Sequence, residues 1–116
     1  TKMRTLNDTK LTAAQREALS LLRQQLYAGF DVHSMNLFGS YARGDFDHES
    51  DIDLLVVTNL PVGNSKRYEI TELVCKLNLE FSTNFSAVVV DRSSWESGKF
   101  RVLPIHDEIM NEGIPL

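Results

Sequence analysis

Residues 37–57 read LFGSYARGDFDHESDIDLLVV, and this stretch decides the fold. A Gly-Ser pair, Gly39 and Ser40, is followed by ten residues and then by Asp51-Ile52-Asp53. Apolar residues flank both features, so the sequence predicts one strand that ends at a small-residue turn and a second strand that carries the aspartates. Side chains two positions apart on a strand share a face, so Asp51 and Asp53 are predicted to point the same way. Paired carboxylates beside a glycine turn indicate a divalent-metal site next to a phosphate-binding turn.

The stretch resembles the nucleotidyltransferase superfamily of the DNA polymerase beta type, and most of all its minimal, stand-alone bacterial members (MNT-type). The superfamily pattern is Gly-Ser, a spacer of about ten residues and Asp-x-Asp, often with Ala-Arg-Gly after the Gly-Ser. Here Gly39-Ser40-Tyr41-Ala42-Arg43-Gly44 and Ser50-Asp51-Ile52-Asp53-Leu54 match that pattern in order and spacing. Either half alone is a weak signal, whereas the two at this spacing form a specific motif. The resemblance covers about residues 30–92.

Helices and strands alternate along the rest of the chain. The predicted helices are 12–28, 65–81 and 104–111, the predicted strands are 33–38, 51–58 and 85–90, and turns or loops occupy 41–44, 45–50 and the segment around Trp95. Thr12 and Gln15 are spaced as a capping box, and residues 1–10 are polar and predicted to be frayed or partly extended. This order indicates an α/β or α+β fold, a small mixed β-sheet with helices packed on it. The resemblance implies the polymerase-beta-type nucleotidyltransferase fold.

Length and composition indicate one globular domain over residues 1–116, with 42% hydrophobic and 24% charged residues. The net charge of −4 gives no general attraction for nucleic acid, so a nucleic-acid partner is not expected. The single cysteine, Cys75, excludes an internal disulfide. The sequence shows no signal peptide and no apolar run that could cross a membrane, so we expect a cytoplasmic protein without a membrane partner.

The resemblance implies a chemistry and a role for each motif residue. It implies transfer of a nucleoside monophosphate from a nucleoside triphosphate, with ATP favoured, to a hydroxyl of a protein or small molecule. Asp51 and Asp53 are the expected catalytic residues and Mg²⁺ ligands, since magnesium prefers hard oxygen ligands. Gly39, Ser40 and Arg43 are the expected nucleotide-binding residues. Arg43 has a second interpretation, in which it holds the acidic loop through Asp51 or the backbone.

Other residues near the motif also have two interpretations. The acidic spacer, with Asp45, Asp47 and Glu49, is either a solvated loop or an extra metal or partner surface. Ser50 either orients Asp51 or caps the turn, and Tyr41 either lines the pocket or packs in the core.

The sequence departs from the superfamily pattern at one position. Catalytic members usually carry a third carboxylate early on a neighbouring strand, where it binds the metal that activates the attacking hydroxyl. In this sequence the early positions of the corresponding stretch are Asn84 and Ser86, neither of which is a carboxylate. Asp91 stands at the far end, about 17 Å from Ser86. Glu80 precedes the strand and is expected to be exposed. The third carboxylate is therefore missing or displaced, which puts activation of the acceptor in doubt.

Size suggests which partners to expect. Larger superfamily members carry a second domain that holds the base and the acceptor, and this sequence contains only the core. A partner protein or a second copy is therefore expected to complete the site. Minimal members are often paired with a small helical HEPN-type protein in toxin–antitoxin modules, so such a partner is a candidate. A homo-oligomer is another candidate, because the valine-rich strand 85–90 could pair across a dimer if it lies at the sheet edge.

Two other functions remain open at this point. The chain could be a catalytically degenerate nucleotidyltransferase-fold binding module, such as an antitoxin partner of a HEPN-type toxin. Alternatively, the motif could be a chance match in an unrelated fold that carries two carboxylates.

Overall fold

A four-stranded mixed sheet with helices on both faces is built from residues 5–116, the part of the chain that the computed structural model describes. The strands are β1 (Val32–Phe38), β2 (Ile52–Thr58), β3 (Phe85–Asp91) and β4 (Ile114–Pro115). The helices are α1 (Ala13–Gly29), α2 (Ser40–Arg43), α3 (Asn64–Phe81), α4 (Arg92–Glu96) and α5 (Pro104–Glu112), with 3-10 turns at Leu6–Asp8 and Lys99–Val102. The predicted fold class is confirmed.

The sheet has the order β3-β2-β1-β4. β1 pairs with β2 and with β4 in antiparallel fashion, and β2 pairs with β3 in parallel. β2 is therefore an inner strand covered on both faces, which explains its nearly continuous apolar sequence. Its alternate residues Ile52, Leu54 and Val56 pack in the core shared with α1 and α3, whereas Leu55 and Val57 pack under α4 and α5. By the same alternation, Asp53 lies on the face of the sheet that α4 and α5 cover.

Helix α1 begins where the capping box predicts. The Thr12 hydroxyl accepts a hydrogen bond from the Gln15 N–H (3.1 Å), and the Gln15 side chain accepts one from the Thr12 N–H (2.8 Å). The buried face of α1 consists of Ala18, Leu19, Leu22 and Leu26. This stripe and the buried residues of α3 cover one face of the sheet.

Several element ends lie one residue from their predicted positions, and three differences affect the site or the sheet. β2 begins at Ile52, so Asp51 lies just before the strand and not on it. The turn around Trp95 is the helix α4, which begins earlier because the Asp91 side chain accepts a hydrogen bond from the Ser94 N–H and caps it. The short edge strand β4 was not predicted, because two residues have no periodicity to recognise.

Residues 1–10 were predicted to be frayed or partly extended. Residues 1–4 lie outside the part of the chain that the structure describes, and from Thr5 onward the chain forms a 3-10 turn at Leu6–Asp8. Over residues 5–116, no helix combines the length and the apolar character that a membrane crossing needs.

Candidate functional site

The two halves of the motif meet at one end of the sheet. Phe38, the last residue of β1, is the register partner of Asp53 on β2. Gly39, which follows Phe38, has φ +76°, and a Cβ atom built on it would collide with Oδ2 of Asp53. Glycine is needed here because the conformation is unfavourable for other residues and because the carboxylate occupies the space of a side chain. The turn backbone therefore lies directly against one of the two predicted metal ligands.

The turn continues into the short helix α2. The N–H groups of Ala42 and Arg43 both donate to the Gly39 carbonyl, and those of Gly44 and Asp45 donate to the Ser40 carbonyl. The first N–H groups of a helix have no acceptor within it, so those of Ser40 and Tyr41 are available to a ligand. Over residues 5–116, the Ser40 hydroxyl also has no hydrogen-bond partner.

Asp51 and Asp53 stand beside this turn without compensating donors. Asp51 is exposed and Asp53 is half-buried, and neither carboxylate has a hydrogen bond or ion pair with any residue from 5 to 116. The pKa of Asp53 is raised above its ordinary value, first by burial and then by the negative charges of Asp51 and Glu108, while Arg43 acts in the opposite direction. A cation bound at this point would relieve the repulsion.

Arg43 is held by carboxylates in this structure. Its Nε contacts Asp45 Oδ2 at 3.1 Å, and its Nη1 contacts Glu108 Oε1 at 2.9 Å and Glu112 Oε2 at 3.5 Å. The hydrogen bond with Asp45 and, to a lesser extent, the charges of Asp45, Glu112 and Glu108 raise the Arg43 pKa above its ordinary value. Arg43 thus does hold the acidic loop, although it does so through Asp45 and not through Asp51. It also ties α2 to α5.

The acidic spacer forms a local turn. The Asp47 side chain accepts hydrogen bonds from the Glu49 N–H (2.8 Å) and the Ser50 hydroxyl (3.3 Å), and the Asp47 N–H donates to Ser50 Oγ (3.0 Å). Ser50 therefore caps this turn and does not orient Asp51. Tyr41 is buried and stacks on Phe46 with ring centroids 4.0 Å apart, so it packs in the core.

The neighbouring strand supplies no third carboxylate beside the pair. The parallel partner of Asp53 on β3 is Ser86, whose side chain shares its face of the sheet. Asp91 is paired with Thr58 at the other end of the sheet, where it caps α4, and Glu80 is exposed on α3. Across residues 5–116, no three His, Cys, Asp or Glu side chains are grouped closely enough to hold a metal ion. A metal would therefore need oxygens from its substrate.

The sequence reasoning missed Glu108 and Glu112. Both come from α5, and their contacts with Arg43 bring them beside the motif. Their spacing of four residues places them on one face of the helix, but that pattern alone does not indicate which residue they meet.

Solved structures of similar fold support the architecture. The chain resembles a structure described provisionally as a minimal nucleotidyltransferase, with a TM-score of 0.54, 22% identity, and coverage of 87% of each chain. It also resembles a toxin–antitoxin complex crystallised with AMP-PNP, with a TM-score of 0.57, 22% identity, and coverage of 85% of this chain and 69% of that one. A third is a complex of a tri-AMPylated Shewanella oneidensis HEPN toxin with an MNT antitoxin (TM-score 0.51, 19% identity, 88% of this chain and 70% of that one). At these identities, the likeness establishes the fold.

Sequence comparison establishes the family. The chain is 30% identical over 78 residues to a Methanocaldococcus jannaschii protein provisionally named a protein adenylyltransferase, covering 67% of this chain and 72% of that protein. A second protein of that organism with the same provisional function is 43% identical over 58 residues, where the chain spans 53% of its length. Residues 16–109 match the nucleotidyltransferase domain family. The chain therefore belongs to that family and is a nucleotidyltransferase.

Proposed function

We propose that this chain takes ATP as its donor and, with Mg²⁺, transfers AMP to a hydroxyl group of a protein. The observation that supports the proposal is the close approach of Gly39 to the Asp53 carboxylate, because the turn proposed to bind phosphate then lies next to the residue proposed to bind the metal. The choice of AMP and of a protein acceptor is supported by the names of the curated relatives.

Gly39 and Ser40 are the proposed phosphate-binding residues. A glycine lets the backbone approach an oxyanion closely, and successive N–H groups of a turn form a concave anion site. The Ser40 hydroxyl and the N–H groups at the start of α2 supply donors at this point. These groups would bind the terminal phosphates and leave the α-phosphate near the aspartates.

Asp51 and Asp53 are the proposed ligands of Mg²⁺. Both are hard oxygen donors without a partner among the described residues, and the pKa of Asp53 is raised by burial and by neighbouring negative charge. A divalent cation would neutralise both carboxylates at once, whereas a single shared proton would neutralise only one of them. Bound there, Mg²⁺ would offset the charge that the triphosphate oxygens carry.

The proposed reaction is a displacement at the α-phosphorus of ATP. The acceptor oxygen forms a bond to that phosphorus, the bond from it to the oxygen bridging to the β-phosphate breaks, pyrophosphate leaves, and the acceptor proton is released. Arg43 lies beside these groups. We propose that Arg43 binds the triphosphate through one edge of its guanidinium, while Glu108 and Glu112 hold the Arg43 side chain in position.

The acceptor side of the site is incomplete within the described chain. Ser86 occupies the position beside Asp53 at which the superfamily resemblance calls for a carboxylate. A serine hydroxyl does not take the acceptor proton as a carboxylate can. We infer that the partner protein contributes to activating its own hydroxyl, or that transfer is slow.

A HEPN-type helical protein is the proposed partner. A structural neighbour of this chain is the complex of an AMPylated HEPN toxin with an MNT antitoxin, and another is a toxin–antitoxin complex with AMP-PNP. The expected cytoplasmic location agrees with ATP as donor and stays a prediction.

The experiment that tests the proposal uses ATP radiolabelled at either the α- or the γ-phosphate. The chain is incubated with Mg²⁺ and each nucleotide, together with proteins that co-purify with it from its native cell. Label from the α-phosphate but not the γ-phosphate should appear on a partner, and Asp51→Asn and Asp53→Asn should abolish it. The proposal is wrong if the wild type labels no partner or if the double variant labels as well as the wild type.

A binding-only module is the second candidate, and the serine at position 86 favours it. In that case, the chain holds its partner by surface contact and the aspartates have no catalytic role. Asp51→Asn and Asp53→Asn would then leave both partner binding and neutralisation of the partner unchanged. Loss of neutralisation while the partner stays bound would instead show that chemistry is required.

A further inference from the structure

We propose that a cleft between α5 and the sheet binds a free amino acid with an apolar side chain. This α5–β1 cleft has a volume of about 540 Å³ and is lined by residues of β1, β2, α4, the 3-10 turn at Lys99–Val102 and α5. Its volume lies in the range of small-molecule sites, about 300–1,000 Å³. The inference does not depend on the proposed function.

Helix α5 separates this cleft from the candidate nucleotide site. Glu108 and Glu112 lie on one flank of the helix and are paired with α2. Asp107 and Met110 lie on the other flank and line the cleft. No residue of the motif region 39–53 is part of the lining. A molecule in the cleft would therefore be bound by a set of residues different from the one proposed for ATP.

The base of the cleft is apolar and aromatic. Val57 of β2 and Trp95 of α4 are both buried, and the Trp95 and His106 rings lie with their centroids 4.5 Å apart. Met110, also in the lining, is 65% exposed. An apolar ligand group that contacts Met110 and Trp95 would remove this surface from water, which favours binding.

His106 supplies the observation that points to a bound group. The residue is 6% exposed, and its Nδ1 atom is closed to solvent and has no hydrogen-bond partner among residues 5–116. Buried polar atoms are nearly always hydrogen-bonded, because a missing partner costs free energy that water cannot restore. Since His106 lines the cleft, a molecule bound there can supply a partner to the ring.

The unpaired charges of the lining select the kind of molecule. Arg101 and Asp107 are exposed, and neither forms an ion pair with the other or with any further residue from 5 to 116. Glu96, a second acid in the lining, is paired with Arg92 at 3.0 Å. One cation and one anion are thus left without a partner. A zwitterion matches both, because its carboxylate can pair with the guanidinium and its ammonium with the Asp107 carboxylate.

Two uncharged polar side chains complete the lining. Ser34 and Asn36 are two residues apart on β1 and both are half-buried. Neither side chain forms a hydrogen bond with the residues that the structure describes, 5–116. A hydroxyl and an amide can each donate to a carboxylate and accept from an ammonium. A nucleotide fits less well, since its phosphates would lie near Asp107 and Glu96 without a charge to pair with either.

Calorimetric titration with three ligands that differ in charge tests the proposal. L-Leucine carries both charges, N-acetyl-L-leucine lacks the ammonium, and L-leucinamide lacks the carboxylate. The wild type should bind L-leucine about tenfold or more tightly than either analogue. Arg101→Gln should lose the preference over L-leucinamide, and Asp107→Asn should lose the preference over N-acetyl-L-leucine. Each variant removes the partner of one ligand charge, so the two losses should not be interchangeable.

Two matched controls and one buried variant complete the set. Lys99→Gln and Glu80→Gln each remove an exposed charge outside the lining, so both should bind L-leucine like the wild type. His106→Phe keeps an aromatic ring against Trp95 but removes the ring nitrogens. It should bind L-leucine more weakly, while the melting temperature without ligand should not fall, because an unpaired buried polar atom is lost.

Three results would overturn the proposal. The first is a wild type that binds none of L-leucine, L-methionine and L-phenylalanine at concentrations up to about 10 mM. The second is a set of variants at Arg101, Asp107 and His106 that bind the three leucine ligands as the wild type does, with circular dichroism showing that each is folded. The third is displacement of bound L-leucine by ATP without Mg²⁺, which would assign the cleft to a nucleotide.

Discussion

A side chain at Gly39 would occupy the space of Oδ2 of Asp53, so the turn backbone and the carboxylate are in direct contact. The contact follows from the register of β1 and β2, in which Phe38 faces Asp53. It brings the two halves of the Gly-Ser and Asp-x-Asp motif together at one end of the sheet.

Gly39→Ala is predicted to lower both stability and metal-dependent ATP binding. The conformation at φ +76° disfavours alanine, at a cost of about 1–3 kcal/mol, and the new methyl group also displaces Asp53. Gly44→Ala is the matched control, because Gly44 has φ +88° but nothing lies within 4 Å of an added Cβ. Thermal unfolding and calorimetric titration should show that Gly44→Ala loses stability alone. Equal loss of ATP binding in both variants would contradict the role given to the Gly39–Asp53 contact.

Asp53→Asn is predicted to raise the melting temperature in the absence of divalent metal. Burial and the charges of Asp51 and Glu108 raise the Asp53 pKa, so the ionised carboxylate is unfavourable in the folded state at neutral pH. Mg²⁺ should stabilise the wild type and have little effect on the variant. Differential scanning calorimetry with and without Mg²⁺ measures both effects. A variant that Mg²⁺ stabilises as much as the wild type would place the metal elsewhere.

Ionisation of Asp91, which caps α4, is predicted to stabilise the fold, whereas ionisation of Asp53 destabilises it. Hydrogen bonds from the Ser94 N–H and hydroxyl lower the Asp91 pKa in the folded state. The stabilisation is therefore complete above the unfolded carboxyl pKa of about 3.9 and is lost as the pH falls through the lower folded value. Urea unfolding of the wild type and Asp91→Asn should show a difference in midpoint at neutral pH that shrinks in acid. A difference that does not change with pH would mean that the carboxylate charge is not involved.

Ser86→Asp is predicted to accelerate transfer if activation of the acceptor limits the rate. Ser86 is the parallel partner of Asp53 and lies on the same face, so an aspartate there adds a third carboxylate to the site. Asn84→Asp is the control, because Asn84 precedes β3 and is not beside Asp53. Initial rates of AMP transfer under saturating Mg²⁺ compare the three proteins. If Ser86→Asp is no faster than Asn84→Asp, acceptor activation is not limited by the missing carboxylate.

Local signals in the sequence were sufficient for the core of the fold and for the composition of the motif. The spacing of Gly39-Ser40 and Asp51-Ile52-Asp53 predicts a turn and a strand that meet, and the Thr12–Gln15 capping box predicts the start of α1. Both depend on residues close in sequence. The assignment of Gly39, Ser40, Arg43, Asp51 and Asp53 to nucleotide and metal stays a prediction.

Tertiary contacts account for what the sequence did not predict. Arg43 meets Glu108 65 residues later, and no periodicity indicates that pairing. β4 is two residues long and exists because Ile114 is fully buried beside β1, which is a consequence of packing. The hydrogen bonds of Arg67 and Asn78 to β3 likewise join residues that are not adjacent in the sequence.

The measurement that tests the central claim most directly is calorimetric titration of ATP, with and without Mg²⁺. It compares the wild type, Asp51→Asn/Asp53→Asn, and a control in which the exposed spacer residue Glu49 is changed to Gln. We predict Mg²⁺-dependent binding to the wild type and to the control, and none to the double variant. Binding to the double variant that equals the wild type would contradict the assignment of the donor site to Asp51 and Asp53.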